Sequence, residues 1–300
     1  MSVTPQTPSL KGVQSPYSLG YRFRKGLNLG LNYLVLTLLG LFFLFPIVFM
    51  LVSSLKNNET QVLSDMSTLY AFVPRGEVGG QNYRDVFAAM PFGRFMFNSV
   101  FIVGSIVIAG LIINSLVAYA LARLRFRGRS LLLAVIIALI IIPIEAVVVP
   151  LLLLVNRFGW LDSYHVQIIP FIADALSIFL FYQFFINLPK DLEEAALVDG
   201  ASRLRIYWSI VLPLSRPVFA TVAILQFLFR WGDFLWPLMV TRGVEFRPLP
   251  VAMQQFFSQD PKLWGDIMAF AAMITIPVLV VFLLFQKWFV QSVATTGVKG

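Results

Sequence analysis

The stretch YLVLTLLGLFFLFPIVFMLV, residues 33–52, decides the fold class. Its twenty residues carry no charge, and at 1.5 Å of rise per helical residue they cover about 30 Å, the thickness of a bilayer's hydrocarbon core. The run is too long for a signal-peptide core and lacks a small-residue cleavage pattern, so it reads as an uncleaved anchor. Five more apolar stretches follow at 98–122, 131–155, 168–186, 218–240 and 267–290. Each must be helical, because a backbone amide in hydrocarbon has no partner outside its own segment. The pattern predicts an all-α integral membrane protein with six transmembrane helices. Pro46, Pro143, Pro150, Pro170, Pro237 and Pro277 fall in or beside these spans and are expected to kink them.

Composition agrees. Of 300 residues, 58% are hydrophobic and 13% charged, with a mean hydropathy of +0.81; a soluble domain carries about 25% charged residues. Cysteine is absent and His165 is the single histidine, so disulfides, thiolate metal sites and multi-histidine metal sites are excluded. The net charge of +8 does not point to nucleic acid, because the basic residues sit in short clusters between apolar runs, as charges that fix membrane topology do. With the N-terminus in the cytoplasm, fourteen of the 23 Lys and Arg residues fall on the cytoplasmic side and eight on the other. The loop holding Arg123, Arg125, Arg127 and Arg129 weighs most in that count. Both termini are therefore expected inside the cell.

The expected organisation is a polar, mostly disordered N-terminal arm over 1–30, a six-span domain over 31–293, and a short tail over 294–300. Two connections are long, an external one over 56–93 and a cytoplasmic one over 187–217.

The cytoplasmic connection, NLPKDLEEAALVDGASRLRIYWSIVLP over 187–213, predicts two short helices with a break. Asp191 is placed to cap the first, whose opening turn holds Glu193 and Glu194, the favourable sign at a positive dipole end. Asp199-Gly200 is a stop signal, and Gly200 is free to take a left-handed C-cap. Ser202 is placed to cap the second helix, expected to run to about Val211 and end before Pro213. Leu204, Tyr207, Trp208 and Val211 give that helix one apolar face. Such a helix fits the membrane surface; the helix–Gly–helix elbow equally fits a knob for a partner.

Glu194-Ala195-Ala196, then Asp199-Gly200-Ala201, then Ile210, Leu212 and Pro213, resemble the "EAA" loop of membrane subunits of bacterial ABC importers. The likeness covers about twenty residues at the family's spacing. The six spans, the loop's place between the fourth and fifth, and the Gly297–Gly300 tail agree with it, most closely with the smaller maltose-permease-type subunit of carbohydrate importers. The segment Trp231–Pro237 resembles a further family signature, with Gly where Asn is common. The resemblance implies the type I importer permease fold in a bacterial inner membrane. It makes the loop a coupling helix seated in an ATP-hydrolysing subunit. Its implied partners are a second permease subunit, two ATP-binding subunits and an extracytoplasmic solute-binding protein; the cargo is a sugar-like solute. No nucleotide-binding loop is present in the sequence, so ATP and Mg would be used on the partner chains, with no catalysis and no cofactor here.

Charges inside spans are costly, at least about 2.5 kcal/mol each, and should face a cavity or a partner. Glu145, Asp174, Arg230 and Asp233 qualify. Gln226, Arg230, Asp233 and Pro237 fall at i, i+4, i+7 and i+11 and form one helical stripe, either a pathway wall for a hydroxylated solute or a self-neutralising Arg230–Asp233 pair. Glu145 follows Pro143 at an expected break near a gate, and Asp174 lies near the outer end of its span. Gly110, Asn114, Ala118 and Ala122 form a small-residue seam that allows close helix approach. Trp160 and His165 fit interfacial anchors, and the apolar external segment 246–257 fits either a membrane-surface loop or a contact for an external binding protein. A proton- or sodium-driven carrier using Glu145 and Asp174 as relays is the alternative, but the paired repeats of such carriers are not visible. A membrane enzyme would need a nucleophile–base or metal constellation, which one His and no Cys do not supply.

Overall fold

The structure is a computed structural model that describes residues 19–297, with side chains described over 26–286. Among the described residues it is helical throughout, with one isolated antiparallel bridge, Lys56 to Val78. The arm before residue 19, the side chains of Arg22, Arg24 and Lys25, and the last three residues of the tail lie outside that description.

Helix α1 spans Leu19–Ser54 with Pro46 inside it. It begins within the stretch that polarity assigned to the arm. A helix satisfies its own amides in water as in lipid, so nothing obliges it to stop at the interface.

From Met50 onward the chain builds a body around α4 (Phe92–Arg123). Before it come α2 (Glu59–Asp65), a 3-10 turn at Leu69–Phe72, and α3 (Gln81–Ala89). These order the expected external connection around one buried cation. Lys56 is 1% exposed; its Nζ donates to Asp65 Oδ2 at 2.8 Å and to the Tyr70 carbonyl at 2.7 Å. Arg75 makes a second ion pair with the same Asp65 and lies over the Tyr70 ring. Glu59 accepts from the amides of Trp264 and Gly265, a carboxylate on the open first turn of the last helix.

Three expected spans are broken. The third divides into α5 (Arg129–Ile141) and α6 (Ile144–Arg157), bent by 105° at Ile142-Pro143. Pro143 pushes the residue before it out of the helical region, and Ile142 is extended, with φ −79° and ψ 114°. The fourth comprises α7 (Tyr164–Ile168), a 3-10 turn at Ile169–Phe171 containing Pro170, and α8 (Ala175–Ile186). The connection expected on the cytoplasmic side holds α9 (Asp191–Val198), α10 (Arg203–Ile206), a π-turn at Tyr207–Val211 and α11 (Leu212–Leu214). The fifth span is α12 (Arg216–Trp231), which stops at Gly232 before α13 (Leu235–Val240). Helices α14 (Leu249–Phe257) and α15 (Trp264–Gly297) complete the chain. Among the described residues four helical stretches, Gly26–Ser54, Phe92–Arg123, Tyr164–Ile186 and Trp264–Gln286, are long and apolar enough to cross a membrane. The number rises to as many as six if α5 with α6, and Arg203–Leu214 with Arg216–Trp231 (bent by 79°), each count as one span.

Three buried clusters surround α4. Phe92 and Phe95 meet Trp231, Phe256 and Phe270 near its start. Ile102 and Ile106 meet Val148, Phe171 and Trp236 in the middle. Tyr119 meets Phe181, Phe185, Ile206 and Tyr207 at its end. Segment 246–257 buries one side and leaves Gln254, Gln255 and Phe257 exposed. Most of it is α14, whose Leu249, Ala252 and Phe256 are buried in the first cluster. Asn98 fixes its approach by donating to the carbonyls of Glu245 and Arg247, each at 2.9 Å.

The Lys56–Asp65–Arg75 knot yields a pH expectation. Hydrogen bonds from Arg75 and then Lys56 hold the Asp65 carboxyl well below the usual carboxylate range. A depressed folded value gives stability that is complete above the unfolded pKa of about 3.9 and declines as pH falls toward the folded value. Protease resistance of 56–90 should therefore stay constant from neutral pH to about 5 and weaken only below about 4. Asp65→Asn should remove that acid dependence and leave the segment sensitive at pH 7, as limited proteolysis would read.

Candidate coupling loop and membrane cavity

Ser202 caps α10 as expected, its Oγ accepting from the Arg205 amide. The C-terminus of α9 is closed as its sequence implies. Gly200 stands at φ +78°, its amide donates to the Leu197 carbonyl at 3.0 Å, and the Ala201 amide donates to Ala196 at 2.9 Å. These are the two reversed hydrogen bonds of a left-handed helix stop, a conformation that costs a non-glycine residue about 1 kcal/mol. Nothing lies within 4 Å of where a Cβ on Gly200 would stand.

Other local expectations are corrected. Asp191 is not the N-cap; Lys190 holds that position without a side-chain bond, and Asp191 opens the helix. The chain also stays helical through Pro213. Proline offers no amide to the preceding turn, and the π-turn at Tyr207–Val211 accommodates it; the Ser215 hydroxyl donates to the Val211 carbonyl at 2.6 Å. The wider turn alters the expected apolar face. Tyr207 and Val211 point inward beside Ile206, whereas Leu204 and Trp208 remain 59% and 50% exposed.

Glu194, Ala195, Asp199, Gly200 and Pro213 are exposed, Ala196, Ala201, Ile210 and Leu212 half-buried. What the sequence did not indicate is how the loop is anchored. Arg123, last residue of α4, pairs with Glu193 at 2.9 Å with both side chains almost fully buried, and donates to the Leu188 carbonyl at 2.6 Å. Ser115 of α4 shares a 2.7 Å hydrogen bond with the Tyr207 hydroxyl. Removing one partner of a buried ion pair leaves the other charge unmatched, a loss of about 3–5 kcal/mol. Arg123 belongs to the basic run and Glu193 to an acidic pair, so each is unremarkable alone; only folding brings them together.

The second arrangement is a cavity of about 360 Å³ among α6, α8, α12 and α13. It gathers Asp174, Gln226, Arg230 and Asp233. Glu145 is not in its wall; it is exposed in the first turn of α6, where Ile144 lines the cavity instead. The expected stripe is also altered, because α12 ends at Trp231 and Asp233 follows the break. Arg230 and Asp233 lie 3.7 Å apart, and the Arg230 guanidinium sits 4.1 Å from the centre of the Phe171 ring, a cation–π contact.

Asp174 does more than end a span. It caps α8, accepting from the Ser177 amide at 2.8 Å. Its own amide donates to Asn114 Oδ1 at 3.0 Å, and Asn114 Nδ2 donates to the Ile172 carbonyl at 3.0 Å. The small-residue seam of α4 thus seats the break before α8. Gln226, 5% exposed, donates to Ser177 Oγ at 3.0 Å. A Cβ on Gly110 would stand 2.7 Å from Gln226 Oε1 and 3.2 Å from the Ile172 carbonyl.

The fold is that of a helical, multi-pass membrane protein with broken helices around a mainly apolar cavity into which Asp174, Gln226, Arg230 and Asp233 are gathered. The chain belongs to the family of inner membrane components of binding-protein-dependent transport systems, which it matches over residues 106–295. It is 30% identical over 264 residues to the arabinooligosaccharides transport system permease protein of Bacillus subtilis (strain 168), covering 88% of this chain and 93% of that one. It is 32% identical over 278 residues to the sn-glycerol-3-phosphate transport system permease protein of Yersinia enterocolitica, covering 90% and 96%. With the trehalose/maltose transport system permease protein of Thermococcus litoralis it shares 31% over 268 residues, 88% and 94% of the two chains. A chain in the crystal structure of a bacterial ABC transporter involved in alginate import superimposes with a TM-score of 0.77 at 25% identity, covering 92% of this chain and all of that one.

Gly110→Ala tests the seam directly. The added carbon must displace the buried Gln226 amide or the Ile172 carbonyl, and overpacking of this kind costs about 1–3 kcal/mol. The purified protein should melt several degrees lower, whereas Gly104→Ala, on the same helix with open space around it, should melt as wild type.

Proposed function

We propose that this chain is the membrane subunit of an ATP-driven, binding-protein-dependent importer for a sugar or sugar-like solute. It forms half of the pathway beside a second permease subunit, and the loop around 190–213 couples it to two ATP-binding chains. ATP and Mg act on those chains. Family membership and the carbohydrate-related names of several relatives support the reading. One structural observation carries the coupling role: the loop is capped at Gly200, pinned to α4 by Arg123 and Tyr207, and presents Glu194, Ala195 and Val198 outward. A loop serving only as a tether needs no buried ion pair.

In the pathway, Arg230, Asp233, Gln226 and Asp174 form the polar wall, with Arg230 neutralised so that hydroxyl groups meet hydrogen-bonding partners without a bare charge. Both termini lie in the cytoplasm of a bacterial cell, the chain crosses the inner membrane six times with each bent pair as one crossing, and an extracytoplasmic binding protein delivers the solute to the face formed by 56–93 and 242–263. An ion-driven carrier is disfavoured by the family match and by the exposed position of Glu145.

Gly200→Asp tests the coupling role. Inside this chain the change meets no atom and costs only the left-handed backbone, about 1 kcal/mol. The complex should insert and fold, but in proteoliposomes solute-stimulated ATP hydrolysis and uptake should fall together or separate from one another; Glu194→Ala should show a milder form. Wild-type values of both for Gly200→Asp would refute the assignment. Orientation is read separately. A cysteine placed at position 80 of this cysteine-free chain should react with an impermeant reagent in intact cells, and one at 203 should not.

A further inference from the structure

At the basic end of the molecule, where α4 and α8 finish, a second pocket of about 900 Å³ lies between the span ends and the loop helix α9. Five cations line it: Arg123, Arg125, Arg129, Lys190 and Arg203. Its carboxylates are Glu193 and Glu194. Arg123 and Glu193 neutralise each other, which leaves four cations against one acid, an excess of three positive charges in a concave site. Arg125 and Lys190 are exposed and make no side-chain hydrogen bond or ion pair among the described residues. The apolar part of the lining is Ala122, Leu124, Ile186 and Leu197. A loop that served topology alone would need its arginines spread along the surface, not gathered around a hollow.

We propose that this pocket holds the phosphate headgroup of an anionic lipid, its acyl chains running down α5. Three observations favour a lipid over an acidic protein face. The pocket sits at the depth where two spans end. Arg129, in its wall, is the first residue of α5, and Leu131, Leu132, Val135 and Leu139 lead away from it as exposed apolar side chains. The apolar part of the lining offers an acidic peptide nothing to bond. Basic pockets between span ends bind anionic headgroups on these terms, each Lys or Arg adding about 1 kcal/mol. A bound headgroup would also bear on α9 through Lys190 and Glu194, joining bilayer charge to the position of the loop. The leaflet depends on the orientation proposed above; the site does not, so a failed labelling test would move it to the other leaflet without removing it.

The test uses the complete complex, extracted from bilayers holding phosphatidylcholine and phosphatidylglycerol and examined by native mass spectrometry. Wild type should retain phosphatidylglycerol preferentially, and Arg125→Gln with Lys190→Gln should cut that preference roughly thirtyfold, two cations at about 1 kcal/mol each. Both positions are exposed in the chain, but Lys190 opens the proposed coupling loop. Arg125→Gln alone, expected to cut the preference roughly fivefold, is therefore the control in which the complex should keep its ATP-binding chains and its melting curve. Equal preference in wild type and variant would overturn the proposal. No phosphatidylglycerol preference in wild type, with inorganic phosphate retained in its place, would make this a free-anion site and overturn the lipid assignment. No preference in wild type, with weakened retention of the ATP-binding chains in the variant, would give the pocket to an acidic protein face.

Discussion

The break between α7 and α8 depends on one side chain. Where a helix stops inside a membrane, its last carbonyls and next amides lose their partners, and hydrocarbon offers none. Asn114 supplies both, its amide nitrogen donating to Ile172 and its oxygen accepting from Asp174. Asp174 then caps α8 through Ser177, and Ser177 accepts from Gln226 on α12. The polar groups of the cavity wall are thus linked in a chain that starts on α4 and ends at Gln226, whose Oε1 has no hydrogen-bond partner among the described residues. Gly110, one turn before Asn114, has no side chain because Gln226 and the Ile172 carbonyl occupy the space. The breaks cost little because they are repaired, and the repair places polar groups within the membrane.

The sequence made the membrane class plain, because twenty uncharged residues have few other uses. It also made the loop's architecture plain at Asp199-Gly200 and Ser202, where the signals are local: a residue free to be left-handed and a hydroxyl one turn ahead of an amide. Span continuity was not legible. Hydropathy measures composition, and 131–155 is apolar apart from Glu145 whether straight or bent by 105°. Pro143 was visible, but a proline does not say whether its helix tilts or turns back. The face of the loop's second helix was misread for a related reason: periodicity assumes 3.6 residues per turn, and a π-turn before Pro213 resets it.

Of the cavity, Gln226, Arg230 and Asp233 were visible as a stripe, and Asp174 as a charge near a span end. The partners that give them meaning were not. Phe171 under Arg230, Ser177 between Asp174 and Gln226, and Asn114 across the break are ordinary residue types in an apolar chain, distinguished only by position. Glu145 had the stronger sequence signal, a charge beside a proline, yet it faces outward from the first turn of α6, where a carboxylate suits the positive helix end and needs no cavity.

These positions give α4 a role beyond that of a central packing element. Asn114 holds the cavity's break, and Ser115, the next residue, holds Tyr207 of the loop. Arg123, eight residues further and about 12 Å along the axis, holds Glu193 in α9. Each contact is short and buried, and the helix between them has no proline or π-turn. A displacement of α9 therefore cannot be absorbed within the loop unless one of these bonds opens. The ion pair alone would cost about 3–5 kcal/mol to break by removing a partner, so a load that opens no bond must move α4, and with it the residues that seat α8. The loop and the cavity wall are two ends of one rigid element, which is the mechanical condition that coupling between them requires.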